Sequence, residues 1–370
     1  MKYYIIAGEA SGDLHGSNLM KELKEQDPQA EFRFWGGDLM QHQGGTLVKH
    51  YRDLAFMGFA EVLMNLRTIL GNISYCKKDI EAWQPDAVIL IDYPGFNLRI
   101  AEFVKKLNIK VYYYISPQIW AWKTGRVKTI QQFVDRMFVI LPFEKDFYAK
   151  YNYEVDFVGH PLLDELAKLK EMNIETFKKT NDLDERKIIA LLPGSRKQEI
   201  KVKLPIMLSV AKFFPDYQFV IAAAPSQDKA FYQSIGGKDL KMVFGKTYDL
   251  IRASDAALVT SGTATLETAL LNTPEVVCYK GNWISYEIGK RLVKFIDYIS
   301  LVNLIMKKEV VKELIQKELT TENLKFELNQ ILHSPKRETI LQNYQLLREK
   351  LGGSGASKRT AELILEDLIR

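Results

Sequence analysis

The chain has 370 residues, more than one core comfortably serves, and a length prior gives about two domains. Apolar residues make up 47% and charged residues 26%, a globular composition that excludes a disordered chain. The formal charge of +5 suits anionic membrane surfaces or phosphorylated ligands and does not call for nucleic acid.

Cys76 and Cys278, far apart in sequence, form neither a disulfide framework nor a metal knot, and a reducing cytoplasm fits them. No apolar run reaches the ~18 residues needed to span a bilayer. Acidic Glu9 and Asp13 interrupt the first apolar stretch too early for a signal peptide.

Short β-rich runs alternate with 3.6-periodic stretches along the chain. Strands are expected at 3–7, 32–35, 87–91, 111–115, 137–141 and 156–159. Helical patterns lie between most of them, clearest at 98–107 with Leu98, Ala101, Phe103, Val104 and Leu107 apolar. The rhythm breaks over 163–186, which reads as a domain end and a linker. Asp182 and Asp184 there read as solvated. It restarts at 188–192, 218–223, 241–244, 256–260 and 275–279, and from about 322 the chain is helical. Wholly apolar strands between helices predict parallel sheets covered on both faces. The expected fold is therefore α/β, with two doubly wound domains. Ligands in such sheets sit beyond the carboxyl ends of the strands.

Directly after the first strand comes Gly8-Glu9-Ala10-Ser11-Gly12-Asp13-Leu14-His15-Gly16. Its Gly-x3-Gly-x3-Gly spacing differs from the dinucleotide fingerprint, and Glu9 would repel a pyrophosphate. Glu9, Ser11 and Asp13 crowd one strand end as a candidate site; a tight turn with Ser11 or Asp13 as helix cap is the plainer reading. Asp92 ends the strand AVILID. Partial burial and a nearby carboxylate would raise its pKa toward a general base's range. Ser116 through Trp122 follow another strand, where the tryptophans suit a sugar, an apolar ligand or core packing.

In the second half, Leu192-Pro193-Gly194-Ser195-Arg196 opens a helix after a strand. Its backbone N–H groups, the Ser195 hydroxyl and Arg196 suit a phosphate ester, while the absent Lys-Ser/Thr ending disfavours ATP. Thr260-Ser261-Gly262-Thr263-Ala264-Thr265-Leu266-Glu267 builds a second anion site from helix N–H groups and hydroxyls. Glu267 stands one turn in, able to accept from two ribose hydroxyls. Asn303 and Gln316 carry amides suited to polyhydroxyl recognition. Over 56–73, Phe59, Val62, Leu63, Leu66, Leu70 and Ile73 fall at helical spacing beside basic Arg67, Lys77 and Lys78. That stripe fits a membrane interface or an ordinary core or dimer helix.

Together and in this order, these motifs resemble the lipid-A-disaccharide synthase family, glycosyltransferases of the B-type two-domain fold. The resemblance also rests on Tyr93-Pro94-Gly95-Phe96-Asn97, Leu141-Pro142-Phe143-Glu144, Gly159-His160-Pro161 and Ser300-Leu301-Val302-Asn303. It runs over essentially the whole chain. One departure is Lys312, where the family usually has proline.

The resemblance implies an inverting transfer of 2,3-diacylglucosamine from UDP to the 6-hydroxyl of 2,3-diacylglucosamine 1-phosphate, giving a β-1,6 disaccharide in lipid A synthesis. It implies no cofactor and no catalytic metal. An acceptor domain is expected over 1–163, with helices in 336–370 packing back on it. A UDP-sugar domain is expected over 186–335. Asp92 is the first choice of base, with Glu9 and Asp13 next. Arg196 and the helix start at Thr263–Thr265 would stabilise the leaving diphosphate. Asn303 and Gln316 would line the donor site, with Glu267 on the ribose.

The lipid substrates favour cytoplasmic, peripheral attachment to the inner membrane through Phe59, Leu63, Leu66 and Leu70. A homodimer exchanging its C-terminal part is a variant of this arrangement. The rival readings are a UDP-N-acetylglucosamine 2-epimerase or a peptidoglycan-lipid glycosyltransferase of the same fold, or a non-catalytic nucleotide-sugar-binding membrane scaffold.

Overall fold

The computed structural model describes residues 1–54, 66–122, 124–281 and 297–369, without the side chains of 66, 121 and 122. The chain forms two compact units, one of 1–167 with 351–370 and one of 168–350.

The first unit holds a seven-stranded parallel sheet: β1 Lys2–Ala7, β2 Glu31–Gly36, β3 Thr46–His50, β4 Ala87–Ile91, β5 Lys110–Tyr114, β6 Arg136–Val139 and β7 Asp156–Phe157. Its order is β3-β2-β1-β4-β5-β6-β7. The chain winds outward in both directions from β1 and β4, whose ends pair Ala7 with Ile91. β1 and β4 are apolar and buried almost end to end, because helices cover both faces. On one face Ile73, Cys76 and Ile80 of the helix Leu66–Trp83 join Leu98, Ile100 and Val104 of the helix Pro94–Lys106. On the other, Leu19 and Leu23 of the helix Ala10–Gln26 meet Ala361, Ile364 and Leu365 of the helix Ala356–Ile369.

That last helix thus returns to the first unit of its own chain. The Tyr112 hydroxyl fixes it by donating to Asp367 at 2.7 Å. The helix Lys336–Lys350 does not return with it; it belongs to the second unit, where Arg348 bonds the carbonyl of Leu270. The expectation that all of 336–370 packs back is corrected to 351–370.

The second unit holds a six-stranded parallel sheet: β8 Lys187–Leu192, β9 Tyr217–Ala223, β10 Lys241–Phe244, β11 Ala256–Thr260, β12 Glu275–Tyr279 and β13 Lys312–Ile315. The order β10-β9-β8-β11-β12-β13 repeats the same winding, with its switch between β8 and β11. The segment read as a linker belongs to this unit. Its helix Ile174–Thr180 sends Phe177 into the core beside Leu183, Ile188 and Val220. Asp184 is held by Arg186 and Lys241 at 2.7 and 2.5 Å; those cations keep its carboxyl well below the usual range. Lys312, standing where proline was expected, opens β13 opposite Val276.

The apolar stripe proposed for the membrane is only partly described. Phe59, Val62 and Leu63 lie outside the described residues, as does the side chain of Leu66. Leu70 is 55% exposed, whereas Ile73 is 7% exposed and packs in the core. The expectation that Ile73 faces outward is therefore corrected. The helix turns Ile69, Ile73, Cys76 and Ile80 inward at spacings of three and four, and Leu70 lies at the edge of that face, exposed.

Candidate active site

In the first unit the switch between β1 and β4 brings two loops side by side. The helix Ala10–Gln26 starts at Glu9 with no side-chain cap, and Glu9 and Ser11 are exposed. Asp92 and Tyr93 both adopt left-handed backbone, with φ of +43° and +49°, a strained pair for non-glycine residues. The strain is held by main-chain anchors. The Asp92 N–H donates to the Tyr114 carbonyl at 3.2 Å. Its carbonyl accepts from Asn97 Nδ2 at 2.7 Å and from the Tyr113 hydroxyl at 2.5 Å. Asn97 also donates to the Ile91 carbonyl at 3.2 Å, tying the strand end to the helix that follows. The Asp92 carboxyl is pushed up to about 6, first by burial, then by the charge of Glu9, with the Tyr93 N–H partly offsetting both.

Asp13 has another task. It is 2% exposed and accepts from the N–H groups of Gly37 at 2.7 Å and of Leu39 and Met40 at 3.1 Å. It caps the helix Asp38–His42. Its place among the candidate bases is withdrawn, because three backbone donors already occupy its oxygens. Burial also pushes His15 and His160 down, to about 4 and about 3.

Sequence reasoning gave no role to Glu144. It is buried at the end of β6 and accepts from the N–H groups of Ile140 at 3.2 Å and Leu141 at 2.9 Å. Burial pushes its carboxyl up to about 7, against those two N–H groups. Beside it, Ser116 and Tyr148 share a hydrogen bond of 2.8 Å, and the Trp120 ring meets Phe143 edge-on at 4.9 Å. The signal in sequence is a glutamate at the third position of a helix opened by Leu141-Pro142.

In the second unit β8 and β11 are neighbours, with Leu192 opposite Val259. The helices Lys197–Ser209 and Thr263–Leu270 begin beyond those strands, and neither start carries a side-chain cap. Two helix starts without a side-chain cap, at adjacent strand ends, form a place for an anion. Gly194 has φ +114°, and a Cβ there would lie 2.5 Å from Glu199 Oε2, so only glycine fits. Ser195 and Arg196 are exposed, with Arg196 3.8 Å from Glu199.

In the next loop Gly262 has φ +140° and, with Thr263, is exposed; Ala264 is half-buried. The Ser261 hydroxyl donates to the Ile299 carbonyl at 3.2 Å. Thr265 is buried and its hydroxyl returns to the Gly262 carbonyl at 2.8 Å, so it shapes the loop. Glu267 accepts from the Tyr248 hydroxyl at 3.2 Å, and burial raises its carboxyl.

Asn303 builds a loop and presents no free polar atom to a ligand. It is fully buried. Its Oδ1 accepts from Val310 and Val311 N–H at 2.7 and 3.0 Å, and its Nδ2 donates to Val311 and Glu313 at 2.8 and 2.9 Å. The expectation that the Asn303 amide lines the donor site is corrected: its hydrogen-bonding capacity is filled. Gln316 differs. It has φ +53° at the end of β13; its Oε1 accepts from Gly281 at 3.3 Å, while its buried Nε2 has no partner among the described residues.

A second residue unassigned from sequence is Lys203, buried in the helix Lys197–Ser209 and bonded to the Thr260 hydroxyl. The three- and four-residue steps from Arg196 to Glu199 to Lys203 are its sequence signal. Among the described residues no group of three or more His, Cys, Asp or Glu side chains is arranged to hold a metal ion.

Residues 3–366 match the family model described as lipid-A-disaccharide synthetase. The lipid-A-disaccharide synthase of Syntrophus aciditrophicus is 43% identical over 370 residues, covering 98% of this chain and 96% of that protein. That of Geobacter metallireducens is 41% identical over 373 residues, with the same coverages. Among solved structures, the UDP-GlcNAc 2-epimerase of Neisseria meningitidis bound to UDP-GlcNAc superposes with a TM-score of 0.70 at 16% identity, covering 99% of this chain and all of that one. The calicheamicin glycosyltransferase CalG4 gives 0.63 at 12%, covering 100% and 98%. These two share the fold. By family model and by full-length identity, the chain belongs to the lipid-A-disaccharide synthases, a family of glycosyltransferases.

Proposed function

We propose that Asp92 is the base of an inverting sugar transfer and that the second unit holds the UDP leaving group. The acceptor is 2,3-diacylglucosamine 1-phosphate and the donor UDP-2,3-diacylglucosamine. Asp92 takes the proton of the acceptor 6-hydroxyl as its oxygen attacks the anomeric carbon. The bond to the UDP oxygen breaks with inversion, and the product is a β-1,6 disaccharide. Negative charge then grows on the diphosphate. Arg196 and the uncapped starts of the helices Lys197–Ser209 and Thr263–Leu270 stabilise it. Glu267 binds the ribose hydroxyls, and Gln316 Nε2 offers a donor to the nucleotide-sugar. With that charge supplied by the protein, activity is expected to survive chelation.

The observation carrying this reading is the half-buried Asp92 carboxyl, raised to about 6 at the switch of the first sheet. A base works best with a pKa near the operating pH. Glu9, whose charge adds to that shift, is the second candidate. The deciding experiment supplies radiolabelled acceptor with the UDP-linked donor and follows the disaccharide by thin-layer chromatography. Asp92→Ala should abolish the product while UDP still binds. Turnover of UDP-N-acetylglucosamine alone would instead indicate an epimerase.

Both substrates carry acyl chains. No helix among the described residues is long and apolar enough to cross a membrane. We assign peripheral attachment at the cytoplasmic face of the inner membrane to the stretch ending at Leu70. The outward Leu70 and the exposed, basic Arg67 support it.

A further inference from the structure

The second unit contains a buried lysine that the proposed mechanism does not use. Lys203 is 3% exposed. Its ammonium donates to the hydroxyl of Thr260, the last residue of β11. It also lies 4.0 Å from Glu199 Oε2. Glu199 in turn sits 3.8 Å from Arg196 and against Gly194. Arg196, Glu199, Lys203 and Thr260 therefore link one helix-start loop to the next across the switch of the second sheet.

Burying a lysine is costly, and such a charge persists only where partners or function offset the cost. Among the described residues its partners are one hydroxyl and one carboxylate at the limit of ion-pair distance, shared with Arg196. That is modest compensation for a desolvated cation. The location supplies a further reason: a positive charge beneath two helix starts adds to the field felt by an anion there.

We propose that Lys203 is a positioning residue for the donor diphosphate, holding the Arg196 loop through Glu199 and the Ser261–Thr265 loop through Thr260. The inference rests on the reading that these two loops bind UDP. Burial lowers the Lys203 ammonium below an ordinary lysine. Glu199 acts against that shift, and Arg196 adds to it. Its charge, and the UDP affinity depending on it, therefore fade on the alkaline side earlier than for a surface lysine.

The test is calorimetry of UDP binding and donor and acceptor kinetics for Lys203→Met, with Arg196→Ala as control. Methionine keeps the length and apolar stem and removes the charge. The expected result is a folded protein with UDP affinity and donor KM each worse by tenfold or more and acceptor KM unchanged. Between pH 7.5 and 10 the parent should lose UDP affinity more steeply than Lys203→Met. The uracil ring titrates equally in both, so the difference between the profiles is the readout.

Thr260→Val, which keeps shape and removes the hydroxyl, should weaken UDP less than Lys203→Met and add little to it. This second variant decides the matter if Lys203→Met does not fold. If Arg196→Ala weakens UDP while folded Lys203→Met and Thr260→Val bind as the parent does, the role of Lys203 is refuted and the donor site stands. If Arg196→Ala also binds UDP unchanged, the donor-site reading itself falls.

Discussion

The ring of Tyr93 lies directly over the backbone of Gly8. A Cβ added at position 8 would sit 2.3 Å from the ring's Cγ, closer than any real contact. The absence of a side chain thus sets the spacing between the loop after β1 and the loop after β4. Because Tyr93 follows Asp92, this spacing also places the carboxyl of the proposed base. Gly8→Ala should push the Tyr93 loop outward and lower kcat at least a hundredfold, since displacements of about an ångström carry such costs. Adding Tyr93→Ala should recover part of the loss. Kinetics of the single and double variants check this; equal activity of Gly8→Ala and parent would refute it.

The raised carboxyl of Asp92 predicts opposite effects on activity and stability. As a base it must be ionised, so kcat/KM should fall about tenfold per pH unit below about 6. Its folded value lies above the ordinary 3.8. The folded state therefore binds the proton more tightly than the unfolded chain. The Asp92 contribution to stability is greatest below 3.8 and falls as pH rises toward 6, staying reduced above that. Asp92→Asn removes the charge and tolerates the left-handed backbone. It should be inactive, yet more stable than the parent above pH 6 by on the order of 1–2 kcal/mol, allowing for partial exposure. Denaturant melts at pH 4 and pH 8 measure this; an Asn variant less stable at pH 8 would contradict the shift.

Glu267 is half-buried, with the Tyr248 hydroxyl as one partner. Losing charge-assisted hydrogen bonds to ribose costs roughly 1.5–3 kcal/mol. Glu267→Ala should therefore weaken UDP about tenfold or more, and uridine alone by a similar factor. Titration calorimetry with both ligands provides the check. A loss seen for UDP and absent for uridine would move Glu267 from the ribose to the phosphates.

Leu70 and Ile73 separate the membrane from the core. Leu70→Ser should leave the fold within about 0.5 kcal/mol of the parent, as exposed substitutions do, and reduce flotation with anionic liposomes. Combining it with Arg67→Glu should deepen the loss, since a basic residue near anionic lipid contributes about 1 kcal/mol. Ile73→Ala should instead cost about 2–5 kcal/mol of stability. If the double variant floats as strongly as the parent, the surface at Leu70 is not the membrane contact.

Much of the architecture was legible in sequence because strands buried on both faces are apolar throughout. KYYIIA, AVILI and AALVT leave little choice of element, and the helices between them impose parallel pairing. The motifs at the strand ends were legible for the same reason: glycine, hydroxyl and carboxylate stand out against apolar runs. Two of the four edge strands were not. Thr46–His50 is half-exposed and Lys312–Ile315 starts on lysine, so neither shows the continuous apolar signal. Tertiary structure alone decided which polar residues remain free. Asp13 and Asp92 read alike in sequence. Asp13 meets three N–H groups of a helix start 24 to 27 residues away, while Asp92 has its backbone anchored and its carboxyl left in a half-buried place beside Glu9. Likewise Asn303 is filled by a loop that folds back on it, and Lys203 is buried because the strand carrying Thr260, 57 residues on, lies against its helix. Local sequence sets backbone propensity and patterning, but the partner that consumes or frees a polar group arrives from a distant part of the chain.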